Sequence, residues 1–273
     1  MPSSDNSVPL DSIALKILRL HEAGATAVLI TLIGGPAHVG RKLLVDASGT
    51  TIGGLGDAGL DEAVVSQSIT FLNSRQDTHV FRLSEFAPNL TGLGEVQVLF
   101  ERIQPQARLV ICGAGHVGAA LAHLACVLGY TTTLIDDRAE FVTRAQFPDL
   151  RISLVAADNW FDAVTAAIGN GHGVYVAVVT RGHSEDESCM LAIMNKEVDY
   201  VGLIGSKRRT KIVIERLRAA GANDDQLKLV HAPIGLDIGA VTPEEVALAI
   251  MAEIVAVQRG GEGGSLSANR RTT

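Results

Sequence analysis

Gly113, Gly115 and Gly118 stand in a Gly-x-Gly-x-x-Gly pattern directly after the apolar run Leu109-Val110-Ile111. A loop of this kind does phosphate chemistry. Gly113 permits a tight strand-to-helix turn, Gly115 lets the main chain approach a phosphate, and Gly118 lets the helix pack closely on the sheet. The N–H groups at the start of the helix, backed by its dipole, then form an anion site. About 20 residues further on, where such folds carry a ribose-binding acid, a second apolar run (131–135) ends in Asp136 and Asp137. Both are candidates to accept ribose hydroxyls, although the second could merely cap the next segment. Acidic groups there disfavour a 2′-phosphate, and the adjacent Arg138 argues the other way.

Ligands in doubly wound sheets sit beyond the carboxyl ends of the strands, which brings two more segments to the loop. Thr180-Arg181-Gly182-His183 follows the apolar strand 174–179. His183 reads as a ligand contact, proton carrier or metal ligand, or else as a loop histidine bonded to nearby backbone. A metal is disfavoured, because no second histidine lies at i+4 and no thiolate is near. Ser206-Lys207-Arg208-Arg209 opens a helix after the strand 200–204. Cations there oppose the helix dipole, so a bound anion explains them better than helix stability does; a solvated basic patch is the alternative. His116 lies at the start of the first helix, within reach of a ligand or exposed in a turn. His123 falls on the polar side of the same helix. Asp237, in a loop with Pro233, Gly235 and Gly239, points either at a ligand or at neighbouring amides.

These segments need a scaffold. From residue 105 the apolar pattern alternates between strands (109–111, 131–135, 152–155, 174–179, 200–204, 229–230) and helices (117–128, 163–168, 187–196, 207–220), as in right-handed βαβ units. Thr242-Pro243-Glu244-Glu245 is a helix start with N-cap, first-turn proline and returning glutamate. The fold class is therefore α/β: a small N-terminal α/β domain (1–104), then a Rossmann-like domain with a mainly parallel doubly wound sheet (105–259), and a flexible tail (260–273). In the first domain an amphipathic helix near 13–20 precedes strands at 27–33, 42–45, 51–52, 78–83 and 95–100, with a helix at 60–72. Residues 1–9 read as disordered.

The chain has 273 residues, 47% of them hydrophobic and 4% aromatic, with a formal charge of −7. That balance argues against a general nucleic-acid partner, and the low aromatic content argues against a stacking platform for single-stranded nucleic acid. No apolar run approaches the roughly 20 residues of a membrane span, and no secretory signal is visible. Cys112, Cys126 and Cys189 lack ligand or disulfide spacing and read as buried thiols of a cytoplasmic protein.

Taken together, GAGHVG…LIDDR, VVTRGHSEDE, YVGLIGSKRR and HAPIGLDIGAVTPEEVALAIMAEIVAV resemble the XdhC/CoxI family, accessory proteins of xanthine dehydrogenase and related molybdenum hydroxylases. The resemblance covers about residues 108–258. It implies a Rossmann-type C-terminal domain and a chaperone that binds molybdenum cofactor (molybdopterin) and delivers it to the apo-enzyme. It further implies a cysteine desulfurase partner that installs the terminal sulfur, a homodimer, and no oxidoreductase activity of the chain's own. On this reading Gly113, Gly115, His116, Gly118, Asp136, Asp137, Arg181, His183, Ser206, Lys207, Arg208 and Asp237 contact the cofactor. One departure stands out: family members carry a cysteine after a glycine-rich stretch, and GGLGDAGLDEAV has Gly59 there. Two alternatives stay open from the residues alone, an NAD(P)-dependent oxidoreductase and a non-catalytic nucleotide-binding or interaction module.

Overall fold

The computed structural model describes residues 10–267 except 75, 91, 92, 94, 170 and 172. Residues 1–9, expected to be disordered, and residues 268–273 of the tail expected to be flexible (260–273) lie outside the described residues. The chain divides into two compact units, Met1–Pro105 and Gln106–Thr273.

The first unit runs α1 (Leu10–Ala23), β1 (Ala27–Gly34), β2 (Lys42–Asp46), β3 (Thr51–Gly53), α2 (Ala58–Leu72), β4 (Thr78–Arg82), the short α3 (Leu83–Phe86) and β5 (Gln97–Ile103). Its sheet has the order β3-β2-β1-β5-β4, with every neighbouring pair antiparallel. Strand alternation sorts the apolar side chains onto two faces. Val28, Ile30, Leu43 and Val45 face the core shared with Leu60, Val64 and Phe71 of α2. Ala27 and Leu44 face Ile13 and Leu20 of α1.

The second unit runs β6 (Arg108–Cys112), α4 (His116–Val127), β7 (Thr131–Asp136), a single 3-10 turn (Ala139–Phe141), β8 (Ile152–Ala156), α5 (Trp160–Ile168) and β9 (Val174–Val178). It continues with α6 (His183–Met194), β10 (Tyr200–Leu203), α7 (Lys207–Ala219), α8 (Asp224–Lys228), β11 (Val230–His231) and α9 (Pro243–Arg259). The six-stranded sheet has the order β11-β10-β9-β6-β7-β8, and all its pairs are parallel. Counted within the unit this is 3-2-1-4-5-6 reversed end for end, the order of dinucleotide-binding folds. A parallel sheet needs cover on both faces, and the apolar runs supply it. Leu109, Ile111, Tyr175 and Ala177 pack under α4 and α9. Val110, Cys112, Val174, Val176 and Val178 pack under α5, α6 and α7.

Capping explains where the helices begin. Thr242 and Glu245 form the capping box of α9, Ser206 accepts from the Arg209 amide at α7, and Asn159 accepts from Asp162 at α5. Two expectations change in detail. His183 is not in a loop but is the first residue of α6, with Gly182 as N-cap and Glu185 and Asp186 complementing the dipole of the first turn. The run 78–83 ends at Arg82, where Glu85 returns to the Arg82 amide and starts α3.

Candidate functional site

The strand order reverses between β6 and β9, and the crevice there lies beyond the carboxyl ends of both strands. Gly113 leaves β6 at φ +115°, and a Cβ on it would stand 2.6 Å from the Val179 carbonyl oxygen. The two strand-end loops therefore touch. A Cβ on Gly118 would lie 1.8 Å from the Gly113 oxygen, so this glycine lets α4 press onto its own loop. Gly115 differs from both, since nothing lies within 4 Å of its would-be Cβ. The open space stands in front of the first turn of α4, whose leading N–H groups have no acceptor within the helix.

A cavity of about 330 Å³ occupies this space, lined by the glycine loop, His116, Asp136, Asp137, Arg138, Trp160, Thr180, Arg181 and Glu185 among others. Asp136, at the end of β7, is 1% exposed. One of its oxygens accepts the Ala114 N–H at 2.7 Å. Arg138 closes on the same carboxylate with Nε at 2.8 Å, Nη2 at 3.0 Å and its own amide at 3.0 Å. Burial alone would raise the pKa of Asp136, but these bonds outweigh it and hold the group below the usual carboxylate range. The guanidinium of Arg138 in turn lies 3.7 Å from the centroid of the Phe141 ring. Asp136 thus fixes the glycine loop to the end of β7, and its outward neighbour Asp137 is the exposed carboxylate of the pair.

Asp137 accepts from Arg181 Nη2 at 2.7 Å, an ion pair that joins the β7 end to the β9 end across the cavity. Glu185 stands 3.7 Å from the same guanidinium. Behind Arg181 a second pair is buried. Arg209 reaches the fully buried Asp186 at 2.6 and 3.0 Å, and Thr180 donates to the other oxygen at 2.5 Å. Burial raises the pKa of Asp186, with the Thr180 and Arg209 bonds opposing it and falling short.

The structure thus gathers Gly113, Gly115, His116, Asp136, Asp137 and Arg181 around one cavity, with Gly118 packed directly behind. His183, Ser206, Lys207, Arg208 and Asp237 are exposed and do not line it. The basic cluster is also divided. Arg209 turns inward to Asp186 because a buried carboxylate needs a partner, which leaves Lys207 and Arg208 at the surface. The 231–245 loop is tied down by Glu253 of α9, which accepts from the Tyr200 hydroxyl at 2.5 Å and the Gly235 amide at 2.9 Å. His123 is exposed and stacks on Phe147.

Trp160 lines the cavity although no sequence motif marks it; Glu185 lines it too and lies within the run VVTRGHSEDE, two residues beyond His183. The signal for Trp160 is its singularity, the one tryptophan of the chain, placed at the start of a helix after a strand. All three cysteines are buried, and Cys189 is held well above the ordinary thiol range by burial and by the adjacent Cys112 thiol. Among the described residues no group of three or more His, Cys, Asp or Glu could hold a metal ion, and no helix is long and apolar enough to cross a membrane.

Comparison with known proteins fits this geometry. Residues 109–254 match the XdhC Rossmann domain, and residues 20–83 match the XdhC and CoxI family. The uncharacterized protein YqeB of Escherichia coli is 27% identical over 244 residues, covering 88% of this chain and 44% of that protein. A second relative, from Bacillus subtilis and named as a probable xanthine dehydrogenase subunit, is 27% identical over 162 residues, covering 59% of this chain and 46% of the relative. The chain thus spans less than half the length of these curated relatives. A crystal structure of a xanthine dehydrogenase from Bacillus halodurans shares the fold, with a TM-score of 0.66 at 20% identity over 92% of this chain and 68% of that one. The Rossmann-domain match alone takes in more than half of the residues, and on that ground the chain belongs to the XdhC and CoxI family.

Proposed function

We propose that the protein is an accessory factor of a xanthine dehydrogenase-type molybdenum hydroxylase, binding molybdenum cofactor as cargo and handing it to the apo-enzyme. The observation that carries this reading is the match of both units to the XdhC and CoxI family, joined by a relative named for xanthine dehydrogenase. The cavity chemistry fits one end of that cargo. A pterin phosphate presents an anion to the first turn of α4, where Gly115 leaves room and Arg181 supplies a cation.

Sulfuration is the weaker half of the family role for this chain. Position 59 is glycine, and a Cβ there would stand 3.0 Å from Leu90 Cδ1. The three thiols are buried. A cysteine desulfurase partner would therefore act on the bound cargo without a relay through a cysteine of this chain.

Anaerobic calorimetry with isolated molybdenum cofactor, followed by transfer to an apo-hydroxylase, tests the reading. Saturable binding and a gain of hydroxylase activity that depends on this protein are expected. Absence of both rejects it.

A further inference from the structure

A second concave space lies outside the crevice, between the outer faces of α4 and α9, and holds about 670 Å³. Ala119 and Ala120 of α4 and Ala247 of α9 give it a low apolar floor, with Val127 and Leu248 beside it. Those two side chains are 80% and 52% exposed, apolar surface that no element of this unit covers. A mainly apolar space of several hundred Å³ with a few polar groups is the form of a small-molecule site, and methyl groups in its floor suit a planar ring. The polar groups are His116, His123 and Glu244.

Two observations choose the ring. His116 lines this groove and the glycine-loop cavity alike, and Pro243 lines that cavity while its neighbour Glu244 lines the groove. The two spaces therefore adjoin at the N-terminal ends of α4 and α9. The second observation is a spare carboxylate. Glu245 is committed to the capping box, where it accepts from the Val241 and Thr242 amides. It already supplies the acid that the helix dipole favours. Glu244 is exposed, and among the described residues no hydrogen bond or ion pair reaches it. A free carboxylate at the end of an apolar floor suits a ring edge with two adjacent N–H donors, which it accepts side by side. We propose that the α4–α9 groove is the ring subsite for a pterin, with Glu244 accepting the N3–H and 2-amino donors of its 2-amino-4-oxo edge. The inference rests on the cargo reading for its choice of ring, and it adds a subsite and a specificity-determining residue. The phosphate of the same molecule stays in the adjoining cavity, on the other side of His116.

The bare ring tests the groove without phosphate, metal or client. The full chain is titrated with pterin, with lumazine (the same bicycle with a 2-oxo group) and with 9-methylguanine (the same edge on a purine), by calorimetry. Saturable pterin binding is expected, with lumazine weaker by roughly tenfold or more, because its 2-oxo group removes one donor and sets an oxygen against the carboxylate. Glu244→Gln should erase that preference, and Leu248→Asp should weaken both pteridines. Arg181→Ala, in the other cavity, should leave bare pterin unchanged. No saturable pterin binding overturns the proposal. So does lumazine binding as tightly as pterin, a preference that survives Glu244→Gln, or 9-methylguanine binding more tightly than pterin. The two readings fail separately. Cofactor transfer that is absent while the Glu244-dependent preference holds removes the cargo role and keeps the subsite; transfer that persists with no such preference does the reverse.

Discussion

Two glycine-rich loops, one in each unit, look alike in composition and differ in what fills them. In the N-terminal stretch 53–59 the room left by the missing side chains is taken by the unit itself. A Cβ on Gly56 would stand 2.6 Å from the His38 ring, and one on Gly59 would stand 3.0 Å from Leu90. In the C-terminal loop 113–118 two glycines are equally crowded, but Gly115 faces open space. Glycine count therefore says that main chain comes close to something. Only the neighbours say whether that something belongs to the protein or to a ligand.

The acids beside the two loops extend the comparison. Asp61 accepts the Leu55 amide at 2.7 Å, as Asp136 accepts that of Ala114. Burial dominates at Asp61, and the Asp57 charge adds to it, so its pKa is raised despite that bond and the attraction of Arg41. At Asp136 the directly bonded Arg138 reverses the sign. The C-terminal loop is thus anchored by a carboxylate that stays charged, and the N-terminal loop by one that resists charging.

Breaking the crowded side of the C-terminal loop should have the largest effect. Gly118→Ala drives a methyl into the Gly113 carbonyl and should cost about 3 kcal/mol or more. Urea denaturation followed by Trp160 emission reads this unit specifically. Next comes the buried pair behind the loop. Arg209→Ala strands Asp186, and a loss of about 3 kcal/mol is expected in the same assay, the low end for a broken buried pair because the Arg209 side chain keeps 23% exposure. In the N-terminal loop, Gly56→Ala meets both a φ of +100° and the His38 ring, and about 1–2 kcal/mol should be lost, read by thermal melting followed by circular dichroism. If that substitution is silent, the contrast between a filled loop and an open one fails.

The acid pair sharpens the contrast by pH. A carboxylate whose folded pKa is depressed contributes stability above its unfolded value, near 3.8, that is lost as pH falls through the folded value. Asp136→Asn should remove that loss, flattening the acid limb of the Trp160-detected unfolding curve below about pH 4. Asp61 has the opposite sign, its contribution lost as pH rises, so Asp61→Asn should not flatten the acid limb. The smallest effect belongs to the open position. Gly115→Ser meets no atom within 4 Å and keeps a competent N-cap, so stability should stay within about 0.5 kcal/mol. A larger loss would mean that Gly115 is needed for the fold and not for a ligand.

Much of the second unit was legible because its signals are local. The loop 113–118 follows an apolar run, and the capping residues at 206 and 242 mark real helix starts. Strand alternation in the first unit likewise sorts β1 and β2 into two faces, although it says nothing of which strands pair. The site was legible only in part. Lys207 and Arg208 looked like companions of the glycine loop because they follow a strand of the same sheet, yet they point to the surface. Trp160, which lines the cavity, carried no motif.

What the sequence determined by itself was the main strands and helices, though not the short α3 and α8, the parallel sheet they build, and the loop that turns its main chain toward an anion. Those derive from hydrophobic period, caps and glycine spacing, whose range is a few residues. The tertiary structure decided which charges are free. Arg209 meets Asp186 and Arg181 meets Asp137, partners 23 and 44 residues apart. Their pairing depends on strand order and on the cost of burying a lone charge, and no local pattern encodes either.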